Sequence, residues 1–442
     1  MKILKFGGTS VGKPERMHSV AKLIASPDQK LVVLSAVSGT TNALVGISDL
    51  LSKKDVEGAK QAIQNLFGPY DQFVENLYST VDGKAKGGEI IANHNAFLSA
   101  FLSEKDFGDK HTRSILAEGE LISTQLFHAY LIEQGYKSVL LPALDFMRID
   151  ENDEPMLAYT EEKLRAIVDA NKDAHLLITQ GYICLNPKNE IDNLKRGGSD
   201  YTASLVGAAL RAEEIQIWTD IDGMHNNDPR IVKRTFPIEE LTFDEAAELA
   251  YFGAKILHPS TILPAQKYGI PVKLLNTMQP EAKGTVIANK TTEKDIKAIA
   301  AKDNITVIKI KSSRMLLAYG FLRSVFAVFE KYKTSIDMIT TSEVAVSLTI
   351  DNSKHLDAIT KELKEFCSVE TECDQTIICI VGHFVQENNQ IVRRVMDALS
   401  ATPVRMISFG GSKNNISVLV KTEYKNIALE ELNEQLFFSE LV

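Results

Sequence analysis

The chain has 442 residues, 44% hydrophobic and 24% charged, with a formal net charge of −9, which suits two or three folded domains and excludes a disordered or fibrous class. The acidic balance and the lack of a long basic run exclude an electrostatic footprint for nucleic acid, so small anionic ligands must be met by local cations. Cys184, Cys367, Cys373 and Cys379 lack C-x-x-C spacing, which excludes a disulfide scaffold and reads as buried thiols. No apolar run nears the ~18 residues of a membrane span and no leader follows Met1-Lys2, so the cytoplasm is the expected compartment and no membrane partner is expected.

The first element carries the most information. The apolar pair Ile3-Leu4 runs into Lys5-Phe6-Gly7-Gly8-Thr9-Ser10, so a strand delivers a cation and two glycines to one point. Glycine lets backbone N–H groups approach an oxyanion, and Lys5 supplies charge for a phosphoryl group. Gly7 to Lys13 also spells most of a Walker A loop, but Pro14 follows, with no hydroxyl for a metal and a ring that stops the loop running directly into a helix.

Short apolar runs then alternate with helical periodicity: Ile3–Phe6, Leu31–Leu34, Ser138–Leu141, His175–Thr179, Ile215–Trp218 and Val272–Leu275. This pattern predicts an α/β fold with a largely parallel sheet covered on both faces, and ligands beyond the carboxyl ends of its strands. Glu118 and Glu120 lie two apart on a predicted helix, so only one can face a given site; the residues alone do not choose between them. Lys195-Arg196-Gly197-Gly198-Ser199-Asp200 precedes the helix predicted over Tyr201–Leu210. Two cations, two glycines and a helix N-terminus capped by Ser199 or Asp200 make an anion site. Thr219-Asp220-Ile221-Asp222-Gly223 closes a predicted strand and continues to Asp228-Pro229-Arg230, a turn that could hold a nucleoside or its metal.

A charged stretch at Lys290–Lys302 without strong strand character marks a domain boundary. Beyond it the pattern repeats. Ile305, Leu322, Ser335 and Ala345 recur as Ile377, Val392, Val404 and Ile416, at offsets of 72, 70, 69 and 71 residues, which argues for two copies of a β-α-β-β unit. In the first copy Phe321, Val325, Val328, Phe329 and Tyr332 share one helical face, which must bury against strands.

Together these residues resemble the aspartokinases of the monofunctional, lysine-sensitive type, within the amino acid kinase superfamily. The resemblance rests on K-F-G-G-T-S at 5–10, L-V-V-L-S-A at 31–36, T-N at 41–42, G-E-L-I-S-T at 119–124, I-T-Q-G at 178–181 and R-G-G-S-D-Y-T-A at 196–203. I-W-T-D at 217–220, T-F-D-E-A-A-E-L-A at 242–250, F-G-A-K-I-L-H-P at 252–259, G-F-L at 320–322 and I-T-T-S-E-V at 339–344 continue it in order across nearly the whole chain.

The resemblance implies a three-layer αβα amino acid kinase domain over residues 1–290, then two ferredoxin-like α+β ACT domains. Residues 291–304 would be a linker plus a strand given to the second ACT domain, 305–375 the first ACT domain and 376–442 the second, with the first copy inserted into the second. It implies transfer of the γ-phosphoryl of MgATP to the β-carboxylate of L-aspartate, giving 4-phospho-L-aspartate at the entry to lysine, threonine and methionine biosynthesis. Lys5 and Asp200 would be catalytic, Asp200 orienting Lys5 and the metal-bound phosphates. Thr41, Glu120, Arg196, Gly197, Gly198 and Ser199 would bind aspartate, Glu120 taking its ammonium group and Arg196 a carboxylate.

Lys5, Phe6, Gly7, Gly8, Thr219, Asp220, His225, Arg230, Lys255 and Ile256 would bind ATP; His225 stands where relatives commonly have tyrosine. No protein metal cage is implied. The implied effector is L-lysine, at Met315, Ala318, Phe321, Leu322, Ile336, Asp337, Ser342 and Glu343, Ala318 standing where relatives can have serine. A homodimer, or a dimer of dimers, would form through the ACT domains. Two alternatives are a catalytically inactive amino-acid sensor and another kinase of the superfamily, but Lys5, Arg196 and Asp200 are intact and the other kinases lack the tandem tail. A fused homoserine dehydrogenase is not expected, since the chain carries no dinucleotide fingerprint.

Overall fold

A computed structural model describes all residues except 195–196, 254–256, 292–295, 313–318, 384–388 and 440–442. Arg196, Lys255, Ile256, Met315 and Ala318 therefore lie outside the described residues. The chain forms two compact units. The first comprises Met1–Met224, Glu239–Phe243 and Leu257–Thr291; the second comprises His225–Ile238, Asp244–Ile256 and Thr292–Val442.

The first unit is built on strands β1 (Lys2–Phe6), β2 (Lys30–Leu34), β3 (Ser138–Leu141), β4 (Leu176–Gln180), β5 (Ile183–Leu185), β6 (Ile191–Asn193), β7 (Glu214–Thr219), β8 (Glu240–Thr242), β9 (Val272–Asn276) and β10 (Thr285–Ala288). Eight of them form one sheet in the order β3-β4-β2-β1-β7-β9-β10-β8, and β5 pairs with β6 separately. All neighbours are parallel except β9 and β10. Helices α1 (Pro14–Ile24), α2 (Thr40–Ser52), α3 (Val56–Phe67), α4 (Tyr70–Leu77), α5 (Val81–Ala100), α6 (Asp109–Glu133), α7 (Leu157–Ala170) and α8 (Gly198–Leu210) follow in chain order.

Strand alternation sorts the sheet into two buried faces. Leu4, Phe6, Val32, Leu34 and Ile178 pack with Met17, Leu44, Ile122 and Leu126 of α1, α2 and α6. Ile3 and Ile215 point the other way, against Gly207 of α8. A parallel sheet buried on both sides explains why its central strands are continuous apolar runs.

In the second unit, α9 (Phe243–Tyr251, its first residue counted with the first unit) precedes β11 (Ala298–Lys311), α11 (Phe321–Lys331), β12 (Ile339–Thr341), β13 (Ala345–Ile350) and α12 (Leu356–Leu363), with α10 (Leu263–Tyr268) lying in the first unit between them in sequence. The second copy is β14 (Ser368–Val381), α13 (Asn389–Ala398), β15 (Val404–Phe409), β16 (Asn415–Lys421) and α14 (Lys425–Asn433). Their sheet runs β12-β13-β11-β14-β16-β15. Residues 298–302 of β11 pair with the end of β14 that also holds β16, while 306–311 pair with β13 and with the start of β14. Each copy has its own core, one around Val325, Phe329 and Leu348, the other around Val395, Val418 and Leu432.

Three local expectations change. The strand read at Ser335 begins at Ile339, although the backbones of Asp337 and Met338 already bond Thr349. The stretch read as lacking strand character ends in β11 from Ala298. Cys184 and Cys379 are buried, but Cys367 is half-buried and Cys373 exposed, in the part of β14 that precedes its fully buried run from Gln375.

Candidate active site

Lys5 shares the face of Ile3, two residues earlier, and so points toward α8. There its Nζ lies 2.7 Å from Asp200 Oδ1, with side-chain exposures of 11% and 14%. Asp200 stands in the first turn of α8, whose N-cap is Gly197 at φ +70 with no side-chain cap. The sequence reading that Ser199 or Asp200 caps this helix is thus corrected: both are inside the first turn. A Cβ on Gly197 would lie 2.6 Å from Thr261 Cγ2, so glycine is required by conformation and by space. The uncapped first turn leaves N–H groups and a positive dipole end available to an anion.

The neighbouring glycine loop is partly closed on itself. Gly7 N–H donates to the Trp218 carbonyl at 3.2 Å and Gly7 accepts from Ser10 N–H at 2.9 Å. The Phe6 ring is fully buried and stacked on Trp218 at 5.8 Å, so it is a core residue. The Thr219 hydroxyl donates to Asp220 Oδ1 at 3.1 Å at the end of β7.

Helix α6 resolves the choice between the two glutamates. Glu118 Oε2 lies 2.5 Å from His94 Nδ1, and His94 Nε2 lies 3.3 Å from Gln125 Oε1, so this carboxylate is used inside the helical layer. Glu120 faces the loop after β2, where Ala36 N–H donates to its Oε1 at 3.2 Å. Gly119 permits this approach, since a Cβ there would lie 2.7 Å from Ala36 Cβ. Glu120 is 4% exposed and its Oε2 is buried with no partner. Burial pushes its carboxyl up to about 8, against the lowering effect of its backbone hydrogen bonds and of Lys5.

Such a group gains most from a ligand that brings a positive charge. Thr41 is exposed in the first turn of α2, while Thr40 beside it is buried and bonded to the Tyr70 hydroxyl at 3.3 Å. Sequence reasoning missed Tyr182, which follows β4 with φ +69; nothing in its residue type signals that conformation.

The second unit holds the remaining positions. His225 Nδ1 lies 3.1 Å from Thr235 Oγ1. Arg230 is clasped by Asp228, with Nε and Nη2 donating at 2.9 and 2.7 Å. Among the positions implied for the effector, Phe321 sits at the edge of the first-copy core against Phe366, with Ile336 packed nearby. Leu322, Ser342 and Glu343 are exposed. Asp337 is already engaged: its Oδ1 accepts from the Tyr251 hydroxyl at 2.6 Å and from Lys302 Nζ at 2.9 Å. Lys302 also pairs with Asp351 at 2.8 Å and lies 4.1 Å from the Tyr251 ring centre. Asp337 Oδ2 is buried without a partner. Sequence reasoning missed this internal ammonium.

A parallel α/β sheet with an embedded cation, an uncapped helix N-terminus and a buried acid at its carboxyl edge defines a class that transfers phosphoryl groups to small charged acceptors. The amino acid kinase family matches residues 1–276, and an ACT domain matches residues 378–436. Aspartokinase 3, chloroplastic, of Arabidopsis thaliana is 36% identical over 461 residues, covering 98% of this chain and 81% of the relative. Lysine-sensitive aspartokinase 3 of Escherichia coli (strain K12) is 33% identical over 451 residues, covering 98% of this chain and 99% of the relative. The crystal structure of E. coli aspartokinase III in complex with aspartate and ADP matches at a TM-score of 0.85 and 32% identity, covering 99% of this chain and 100% of that one. The chain belongs to the aspartokinases, within the amino acid kinase family.

Proposed function

We propose that the chain transfers the γ-phosphoryl group of ATP to the β-carboxylate of L-aspartate at the corner formed by Lys5, Asp200 and Glu120. The acceptor carboxylate is ionised at neutral pH, so no general base is needed; the site must hold two anions together and neutralise charge as it shifts. One β-carboxylate oxygen bonds to the γ-phosphorus, the bond from that phosphorus to the β,γ-bridging oxygen breaks, and ADP leaves with the electron pair. Lys5, oriented by Asp200, stabilises the equatorial oxygens, and the first turn of α8 with Gly198 and Ser199 meets a substrate carboxylate. Glu120 receives the substrate ammonium, with Thr41 and Arg196 completing the aspartate side.

Mg²⁺ would be carried mainly on the nucleotide phosphates, with Asp200 nearby. When bound, the metal supplies further neutralisation of those phosphates. On the nucleotide side Phe6 and Gly7 act only through backbone, with Gly8, Thr219, Asp220, His225, Arg230, Lys255 and Ile256 the other contacts.

The observation that carries the reading is the buried Glu120 oxygen without a partner, beside a lysine whose charge reaches it. The E. coli relative is named as lysine-sensitive, and we extend L-lysine inhibition to this chain. Its ammonium would meet the unpartnered Asp337 oxygen or the exposed Glu343, with Met315, Ala318, Phe321, Leu322, Ile336 and Ser342 around it. Assembly as a homodimer or dimer of dimers would use the ACT units, whose edge strands expose Ile339, Ile407 and Phe409.

No described helix is long and apolar enough to cross a membrane; we place the enzyme in the cytoplasm. The test is a coupled assay with aspartate, ATP and Mg²⁺, repeated with lysine, threonine or methionine. Acyl phosphate formation inhibited by lysine supports the reading, whereas lysine binding without turnover would mark a sensor.

A further inference from the structure

The contact between α5 and α6 is mainly apolar: Ile90, Ile91 and Leu98 of α5 share one core with Ile115, Ile122 and Leu126 of α6. Into this layer α5 also brings His94, whose Nδ1 lies 2.5 Å from Glu118 Oε2 and whose Nε2 lies 3.3 Å from Gln125 Oε1. The side-chain exposures of His94 and Glu118 are 9% and 5%. A buried pair of this kind is weak evidence for stability, since apolar side chains of similar volume often serve as well. What it adds is direction. Apolar contact is non-directional and lets one helix turn on another, whereas a hydrogen bond fixes where its partners stand.

The two residues that His94 meets are seven apart on α6, about two turns, and so lie on one face of it. Glu120, two residues beyond Glu118, is turned from that face by about 200°. It points to the loop after β2, where Ala36 N–H donates to its Oε1 at 3.2 Å, and one turn on the Ser123 hydroxyl donates to the Ser35 carbonyl at 2.7 Å. Helix α6 is thus gripped from opposite sides, by one imidazole and by one loop. A carboxylate ~6 Å from the helix axis moves ~2 Å when the helix turns by ~20°, which is enough to break a hydrogen bond.

We propose that His94 is a positioning residue of the aspartate site: by holding Glu118 and Gln125 it fixes the rotation of α6, and with it the place of the Glu120 carboxylate. His94 acts only through the helix. The inference rests on the assignment of Glu120 to the substrate ammonium.

Substitutions in the full-length chain separate this role from packing. His94→Leu alone leaves Glu118 buried without its partner and lowers the melting temperature by about 5 °C or more. His94→Leu combined with Glu118→Met replaces the pair by apolar side chains and returns the melting temperature to within about 2 °C of wild type. Its KM for aspartate nevertheless stays raised by about tenfold or more, the scale of one hydrogen bond to a charged group, with KM for ATP unchanged. In a Glu120→Gln background the same double substitution changes the aspartate KM by less than about twofold, because no carboxylate is left to place. A wild-type aspartate KM in the double variant, or a tenfold loss that persists in Glu120→Gln, overturns the proposal. Glu120→Gln with a wild-type aspartate KM refutes instead the ammonium assignment beneath it.

Discussion

Glu120 makes the sharpest prediction because its empty-site state differs from its working state. A carboxyl raised from 4.5 to about 8 costs about 5 kcal/mol to ionise beyond its cost in water, at 1.36 kcal/mol per pH unit. At pH 7 the empty site is then roughly 90% protonated, and binding an ammonium group requires that proton to leave. Aspartate binding at pH 7 should release about 0.9 proton, and its Kd should fall about tenfold per pH unit between pH 6 and 7 before levelling above pH 8.

Glu120→Gln removes the slope and weakens aspartate binding by about 2–5 kcal/mol at pH 8, the loss typical of truncating a buried charged pair. The same group sets a stability trend in the ligand-free chain. Its folded value lies above its unfolded value, so its contribution is full below about pH 4.5 and is lost as pH rises through about 8. Glu120→Gln should therefore raise the melting temperature at pH 8 more than at pH 5. Calorimetric titration of aspartate in buffers of different ionisation enthalpy reads the proton release directly. A Kd independent of pH between 6 and 8, or a slope that survives in Glu120→Gln, refutes the reasoning.

Lys5→Ala should lower kcat by about 10²–10³ while circular dichroism and effector binding stay near wild type; full activity removes Lys5 from the mechanism. Gly119→Ala places a Cβ 2.7 Å from Ala36 Cβ and should cost about 1–3 kcal/mol of stability in denaturant melts while raising the aspartate KM, and a neutral result contradicts the close-approach argument. Lys302→Met removes the ammonium that occupies Asp337, so lysine inhibition should tighten about fivefold or more; weaker inhibition makes Lys302 purely structural. Glu343→Ala should weaken lysine inhibition without comparable loss of catalysis, read from inhibition curves, and unchanged curves place the effector elsewhere.

The central strands were legible because burial on both faces leaves only apolar runs of four to six residues, and β1, β2, β3, β7 and β9 fall within a residue of their expected bounds. The repeat offsets likewise located both β-α-β-β copies. Strands β8 and β10 were not read: they are three and four residues long, too short for a period to show. The α8 cap was misread because Ser and Asp are the usual caps, while the positive φ of Gly197 moved the helix start earlier.

Lys5 and Asp200 were legible as residues, but their pairing follows from the facing of β1 toward α8. Glu118 and Glu120 were equivalent in sequence and became distinct only when His94 took one of them. Tyr182 and Lys302 were invisible for a related reason: a left-handed aromatic and an internal counter-ion are properties of what packs around them.

The most direct test of the account is a crystal structure of the chain with a non-hydrolysable ATP analogue and L-aspartate. The account predicts a γ-phosphate oxygen within hydrogen-bond distance of Lys5 Nζ and the aspartate ammonium on Glu120. A triphosphate seated away from Lys5, or an aspartate whose amine does not reach Glu120, contradicts it.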